Sequence, residues 1–239
     1  VWRYKPLFPF ADIKSVPPLH MPLTPLYRCE KLEEDVDCGK IYLKDDTLLP
    51  SGSFKDRASS VVMAVAREKG IETLEEFFGV DLAHRLSQKG KKANLIIGNN
   101  VIAHVPDIND FVAGLNIALK NDGVVTMEFP HLMRLIEKNQ FDTIYHEHFS
   151  YFSFHTVRRI FEKHGLVLFD VEEISTHGGS LRIYARHHED ESKPITTKVA
   201  NLLEKETARG MLKLDYYLNF QQAADKVKYA LLSFLLEQH

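Results

Sequence analysis

Ala93-Asn94-Leu95-Ile96-Ile97-Gly98 is a continuous apolar run broken by one amide and closed by glycine. A short run of that kind, bounded by turn residues, suits a strand buried on both faces of a parallel sheet. The sequence on either side agrees. Asp107 or Asn109 caps a helix carrying Phe111, Leu115, Ala118 and Leu119, which ends before Gly123. Gly123–Phe129 reads as the next strand, closed by Pro130. Ser153 caps a helix with Val157, Ile160 and Phe161 that ends at Gly165. Leu166–Ile174 and Leu181–Arg186, the latter with Leu181, Ile183 and Ala185 on one side, add two strands. Upstream, Leu74–Gly79 predicts a strand, and Leu82 and Leu86 mark a helix stopping near Gly90. Strands alternating with helices predict a doubly wound α/β layer. From Ser192 to Glu237 the pattern is helical, with no glycine after Gly210.

The first fifty residues have another texture. Pro6, Pro9, Pro17, Pro18, Pro22, Pro25 and Pro50 predict an extended arm and loops, with Ile41–Lys44 as a short strand. Ser53 then caps a helix whose apolar face is Ala58, Val61, Val62 and Val65, and Gly70 is its C′ stop. At 239 residues the chain holds one large or two small domains. Apolar residues make up 44% and charged residues 26%, with a net charge of −3, so nothing draws it to polyanions. Nucleic acid is therefore not expected as a partner, while a nucleotide ligand stays open. Cys29 and Cys38 cannot alone build a disulfide framework or a four-thiolate zinc site, and read as free thiols. No apolar run approaches a membrane span, and Val1-Trp2-Arg3-Tyr4 lacks a signal-peptide pattern. The expected location is cytoplasmic. Val1 in place of methionine suggests a fragment or an incomplete frame.

Long consecutive stretches carry a family resemblance. They are Glu76-Phe77-Phe78-Gly79, Asn94 to Asp107, Met127-Glu128-Phe129-Pro130, Phe141 to Tyr151 with its Tyr145-His146-Glu147-His148, and Thr176 to Arg182. From about Val65 onward the chain resembles nucleotide-sugar C-methyltransferases, which methylate a ketosugar on carbon with S-adenosylmethionine (SAM). The fold this implies is an incomplete doubly wound, Rossmann-like methyltransferase sheet, with a Pro-rich N-terminal arm and a C-terminal helical segment. Carbon becomes nucleophilic only when a proton next to the ketone is removed, which calls for a near-neutral base and a donor for the oxyanion. Histidine supplies such a base. The resemblance implies His148 as general base, with Tyr145, Glu147 and His104 around a nucleotide-sugar substrate. Alternation along an extended loop would set Glu147 beside Tyr145, with His148 facing away. On pattern alone, His146 and His148 better suit a solvated loop; the surrounding match reverses that. His-x-His with Glu128 is a partial metal set for which spacing supplies no further ligand, and no metal is expected.

The methyl-donor side is incomplete in sequence. SAM enzymes of this class grip the amino-acid end with a glycine-rich turn after the first strand and the ribose with an acid ending the second. Neither is found, and residues 1–64 stand in their place. Phe77 and Phe78, which also suit core packing, and Asn99 and Asn100 remain as candidate cofactor contacts. The family's cysteine-rich zinc module is missing too, and the C-terminal domain is expected to be cut soon after Gln238.

Residues 2 to about 74 resemble the N-terminal part of threonine synthase, a pyridoxal-phosphate (PLP) lyase. Leu23-Thr24-Pro25-Leu26, Tyr42-Leu43-Lys44-Asp45-Asp46 and Pro50-Ser51-Gly52-Ser53-Phe54-Lys55-Asp56-Arg57 carry it. The resemblance implies Lys55 as a Schiff-base lysine, suited by a helix start that favours the free amine. A solvated lysine is the plainer alternative. The phosphate-binding loop would lie beyond residue 75 and is not found, so PLP is the cofactor only on this second reading. Val65-Ala66-Arg67-Glu68-Lys69-Gly70-Ile71-Glu72-Thr73 would suit either family and reads as the join of two gene fragments. The expected division is 1–70 threonine-synthase-like, 71–188 a methyltransferase-like core lacking its first strands, and 189–239 the start of a C-terminal domain. A misjoined or decayed chain without activity is a third possibility. The lost strands predict a gap between Leu74–Gly79 and Ala93–Gly98, either filled by Ile41–Lys44 and the following helix or left with sticky edges.

Overall fold

A computed structural model describes residues 2–36 and 39–237; Val1, Cys38 and Gln238, on which expectations above rest, lie outside them. The chain divides into two compact units, residues 1–75 and 76–239.

In the first unit, β1 (Leu26–Arg28) and β2 (Tyr42–Lys44) form an antiparallel ladder around the short α1 (Glu30–Asp35). The predicted strand thus pairs within its own unit, with a partner drawn from the stretch expected to be loop. α2 (Lys55–Glu68) follows, and the Ser53 hydroxyl accepts from Lys55 N–H at 3.3 Å. Gly70, at φ 64°, ends it as predicted. Ile71 N–H reaches the Ala66 carbonyl at 2.8 Å and Gly70 N–H that of Arg67 at 3.1 Å, the Schellman pattern. The buried face is Ser60 and Ala64 rather than the predicted valine stripe, and Val62 is 64% exposed. The cause is thin cover: among the unit's described residues, the buried apolar ones are Phe10, Leu49 and Ala64.

The second unit runs α3 (Val80–Gln88), β3 (Ala93–Asn99), α4 (Ile108–Ala118), β4 (Leu119–Pro130), α5 (Leu132–Glu137) and α6 (Phe154–Lys163). It continues through β5 (Leu166–Ile174), β6 (Ser180–His187), α7 (Thr197–Ala208), α8 (Asp215–Leu218) and α9 (Phe220–Glu237). The sheet order is β3-β4-β6-β5, with β3 and β4 parallel and the other neighbours antiparallel. Both sequence-predicted caps are present. Asp107 accepts from Asn109 and Asp110 N–H at 3.0 Å each, and Ser153 accepts from Thr156 N–H at 3.2 Å.

This is the expected Rossmann-like α/β layer, and its incompleteness has a specific form. Val125, Met127 and Phe129 of β4 and Leu181, Ile183 and Ala185 of β6 share one core with Leu115, Phe161 and Leu202. Alternate strand residues point to one face, so α4, α6 and α7 all pack on the same side. Leu74–Gly79 forms no strand, which corrects the expected gap: the sheet simply begins at β3. The apolar run foreseen as buried is therefore an edge. Leu95 is 53% and Ile97 62% exposed, because they alternate with Ile96, which packs on the core, and so point to the face away from α4, α6 and α7.

Beyond β6, a buried pair docks α7. Glu206 accepts from His131 Nε2 at 2.7 Å and from Phe154 and His155 N–H at 2.6 and 3.0 Å. Burial pushes its carboxyl up, but these three bonds outweigh that and hold it below the ordinary carboxylate value. α9 buries no residue; Leu231, Phe234 and Leu236 are all more than half exposed.

Candidate active site

The parallel strands β3 and β4 carry the site at their carboxyl ends, where open α/β sheets place ligands. After β3 the chain turns through Asn100, a left-handed residue at φ 54° whose N–H bonds the Glu128 carbonyl at 2.7 Å. A 3-10 turn, Ile102–His104, then brings up His104. Gly98, just before this turn, leaves room for Met127, whose Sδ would lie 2.3 Å from a Cβ there.

The second contributor is the loop after α5. Thr143 closes a 3-10 turn, its N–H and hydroxyl both reaching the Gln140 carbonyl at 3.1 and 2.8 Å. Tyr145–His148 follows as a turn, with His148 N–H on the Tyr145 carbonyl at 3.0 Å. That turn corrects the extended-loop expectation: it is His148, three residues on, that meets the Tyr145 hydroxyl, at 3.1 Å from Nε2. Phe149 and Ser150 N–H bond the Ala103 carbonyl at 2.9 and 3.3 Å and so dock the loop on the His104 turn.

These bonds fix tautomers. His148 Nδ1 lies 3.0 Å from the Thr143 carbonyl, which can only accept, so Nδ1 carries the proton. In the neutral ring Nε2 is then a lone pair, facing Tyr145 O–H. His104 Nδ1 likewise donates to the Glu147 carbonyl at 3.0 Å. The two imidazoles stand 4.7 Å apart between ring centres. Two basic nitrogens and one phenol donor thus share a partly open corner.

Beside it, Phe77, Phe78, Val101, His104 and Phe111 line a cavity of about 470 Å³. Phe78 meets Phe111 edge-on at 5.6 Å, while Phe77 is fully exposed at the rim. Of the candidate site residues, Tyr145, His148 and His104 converge directly. Glu147 contributes its backbone carbonyl to His104, and Phe77 and Phe78 reach the adjoining cavity. Asn99 and Asn100 do not line it. Glu128 is occupied by Thr176 and Arg182, each at 3.0 Å, and Arg182 gains basicity from the contact. Among the described residues no group of three or more His, Cys, Asp or Glu is placed to hold a metal ion.

Lys55, in the other unit, is an exposed residue at the start of α2. The motif around it is engaged with itself. Asp56 accepts from Ser51 N–H and hydroxyl at 2.7 and 2.6 Å, which holds its carboxyl below the usual range. Arg57 joins the Pro22 carbonyl, Thr24 and Asp46 at 3.0, 2.6 and 3.1 Å.

Sequence models of known families match both ends of the chain. The pyridoxal-phosphate dependent enzyme model matches residues 19–81, a methyltransferase domain 54–171, and the C-methyltransferase C-terminal domain 175–239. The chain joins a C-methyltransferase-like part to a threonine-synthase-like part. The first two models overlap across residues 54–81, which contain α2 and the suspected join. C-methyltransferase NovU of Streptomyces niveus is 34% identical over 164 residues, covering 69% of this chain and 39% of that protein. Threonine synthase of Methanocaldococcus jannaschii is 33% identical over 107 residues, 43% of this chain and 26% of that one. The chain therefore spans well under half the length of either relative. A SAM-dependent methyltransferase from Clostridium acetobutylicum overlaps it with a TM-score of 0.41 at 9% identity, covering 56% of this chain and 72% of that one. An O-methyltransferase family protein from Burkholderia thailandensis gives 0.41 at 16%, covering 59% and 43%.

Sequence reasoning missed two contributors. Thr143 holds His148 through its main-chain carbonyl and Tyr151 holds the Tyr145 N–H through its hydroxyl; both lie inside the quoted Phe141–Tyr151 stretch, which does not single them out.

Proposed function

We propose that the methyltransferase-like part is built for SAM-dependent C-methylation of a nucleotide-linked ketosugar. The observation that carries this reading is the Tyr145–His148 pair, with Nε2 of His148 bare of its own proton. His148 Nε2 takes the proton from the carbon next to the ketone once the acceptor displaces Tyr145. Tyr145 O–H, released from Nε2, donates to the oxygen on which charge develops. His104 and Glu147 border the sugar and exclude water on that side. SAM, when bound, supplies the methyl group. The aromatic cavity of Phe77, Phe78 and Phe111 suits its adenine ring, and opens beside His104. The glycine turn that would grip the amino-acid end is missing from the sequence, so the donor is expected to bind weakly and turnover to be slow or nil.

The test is methyl transfer from labelled SAM to a dTDP- or GDP-linked ketosugar. His148→Ala should remove any C-methylation, a loss of at least about 100-fold; unchanged turnover would refute the assignment. The threonine-synthase-like unit supplies no second chemistry on this reading, since the residues around Lys55 bond one another. An aldimine absorbance band after PLP addition that Lys55→Ala abolishes would reverse that conclusion.

A further inference from the structure

Tyr151 sits three residues beyond His148, half-buried, and carries none of the chemistry assigned above. Its hydroxyl accepts from Tyr145 N–H at 3.2 Å and faces the Thr143 carbonyl at 3.4 Å. Its ring stands edge-on to the His148 imidazole, 5.6 Å between centres at 80°. One phenol therefore touches both backbone segments that hold the base. Thr143 fixes Nδ1 through its carbonyl, and Tyr145 caps Nε2 through its own hydroxyl.

We propose that Tyr151 is a positioning residue that sets the tautomer and aim of His148. The inference rests on the reading of His148 as the base for its catalytic meaning, though not for its geometry. With the hydroxyl present, the Tyr145 N–H is satisfied, and the Thr143 carbonyl, accepting from Tyr151 O–H, is held where it also accepts from His148 Nδ1–H. Without it, Tyr145 N–H loses its partner and the loop between Thr143 and Tyr145 gains freedom. The imidazole can then turn and place its proton on Nε2, the nitrogen that must be bare. The change is local. Phe152, next in sequence, is buried and bridges to His131, so the backbone beyond Tyr151 stays anchored.

The experiment is Tyr151→Phe in the full chain, which keeps the ring and removes one oxygen. Nitrogen-15 NMR of the histidine rings, assigned by His148→Gln, reads the tautomer and titration of His148 directly, alongside methyl transfer. The expected result is a predominantly Nδ1–H ring in the parent and a mixed population in the variant. Where the parent turns over, kcat should fall about 10-fold with KM for the acceptor changed less than about 2-fold. An unchanged tautomer and titration, whether or not the melting temperature falls, would overturn the proposal, since a merely structural tyrosine would move stability alone. A tautomer shift in a chain that never methylates would uphold the positioning and sink the base assignment instead.

Discussion

The two units carry comparable sequence signatures and fold them very differently. In residues 76–239 the motif residues sit over a continuous core of β4, β6, α4 and α6 side chains. In residues 1–75 the buried apolar residues among those described are Phe10, Leu49 and Ala64. Signature residues there tie loops to each other through Arg57 and Asp46, as a hydrogen-bonded knot with little beneath it. A motif specifies local geometry wherever it lands; it specifies a site only when the surfaces it evolved against come with it. Small units also bury a smaller share of their surface, which leaves little margin.

The sharpest way to break this contrast lies in the second unit's interior. Glu206→Ala should cost about 3–5 kcal/mol, because His131 Nε2 and two amide N–H groups lose their buried acceptor. Denaturant titration of that unit's transition would show it, and a loss under about 1 kcal/mol would mean the pair does not dock α7. The same carboxyl gives a pH signature. Its folded pKa is depressed, so its contribution is present above the unfolded-state value and fades as pH falls toward the folded one. Glu206→Gln should accordingly flatten the acid limb of the stability curve.

Gly114→Ala comes next. A Cβ there would stand 2.7 Å from the carbonyl carbon of Gly79, where backbone cannot yield cheaply. About 1–3 kcal/mol of overpacking is expected, read as an earlier melt of the same unit. Arg57→Ala tests the other side of the comparison. It should lower the first unit's melting by roughly 5 °C and leave the second transition in place; a shift in both would show that the units are not independent. The smallest effect on stability is expected from Ile97→Lys, within about 0.5 kcal/mol, because the side chain is already exposed. Static light scattering should nevertheless show less self-association than in the parent.

Much of the second unit is legible from its sequence because local signals and packing agree there. Asp107 and Ser153 are caps in pattern and in structure, and the alternation of Leu181, Ile183 and Ala185 marks the buried face of β6. Legibility fails where a missing partner decides the outcome. Leu74–Gly79 makes no strand pairing and only Phe78 of it packs on the core, while Val62 in the valine stripe of α2 stays exposed. The site divides in the same way. His104, Tyr145 and His148 are recognisable by motif, whereas their pairing depends on a four-residue turn that periodicity does not register. Thr143 acts through its main-chain oxygen, which no side-chain pattern reveals.

The bare β3 edge has a practical consequence. The opposite edge strand, β5, carries Asp170, Glu172 and Glu173, whereas Ala93–Asn99 has no charge at all. Such a strand offers hydrogen-bonding groups to any passing extended chain. The yield of well-behaved material should therefore be governed by a ceiling on concentration rather than by temperature, and dilute preparation should keep more of the chain usable than cold storage.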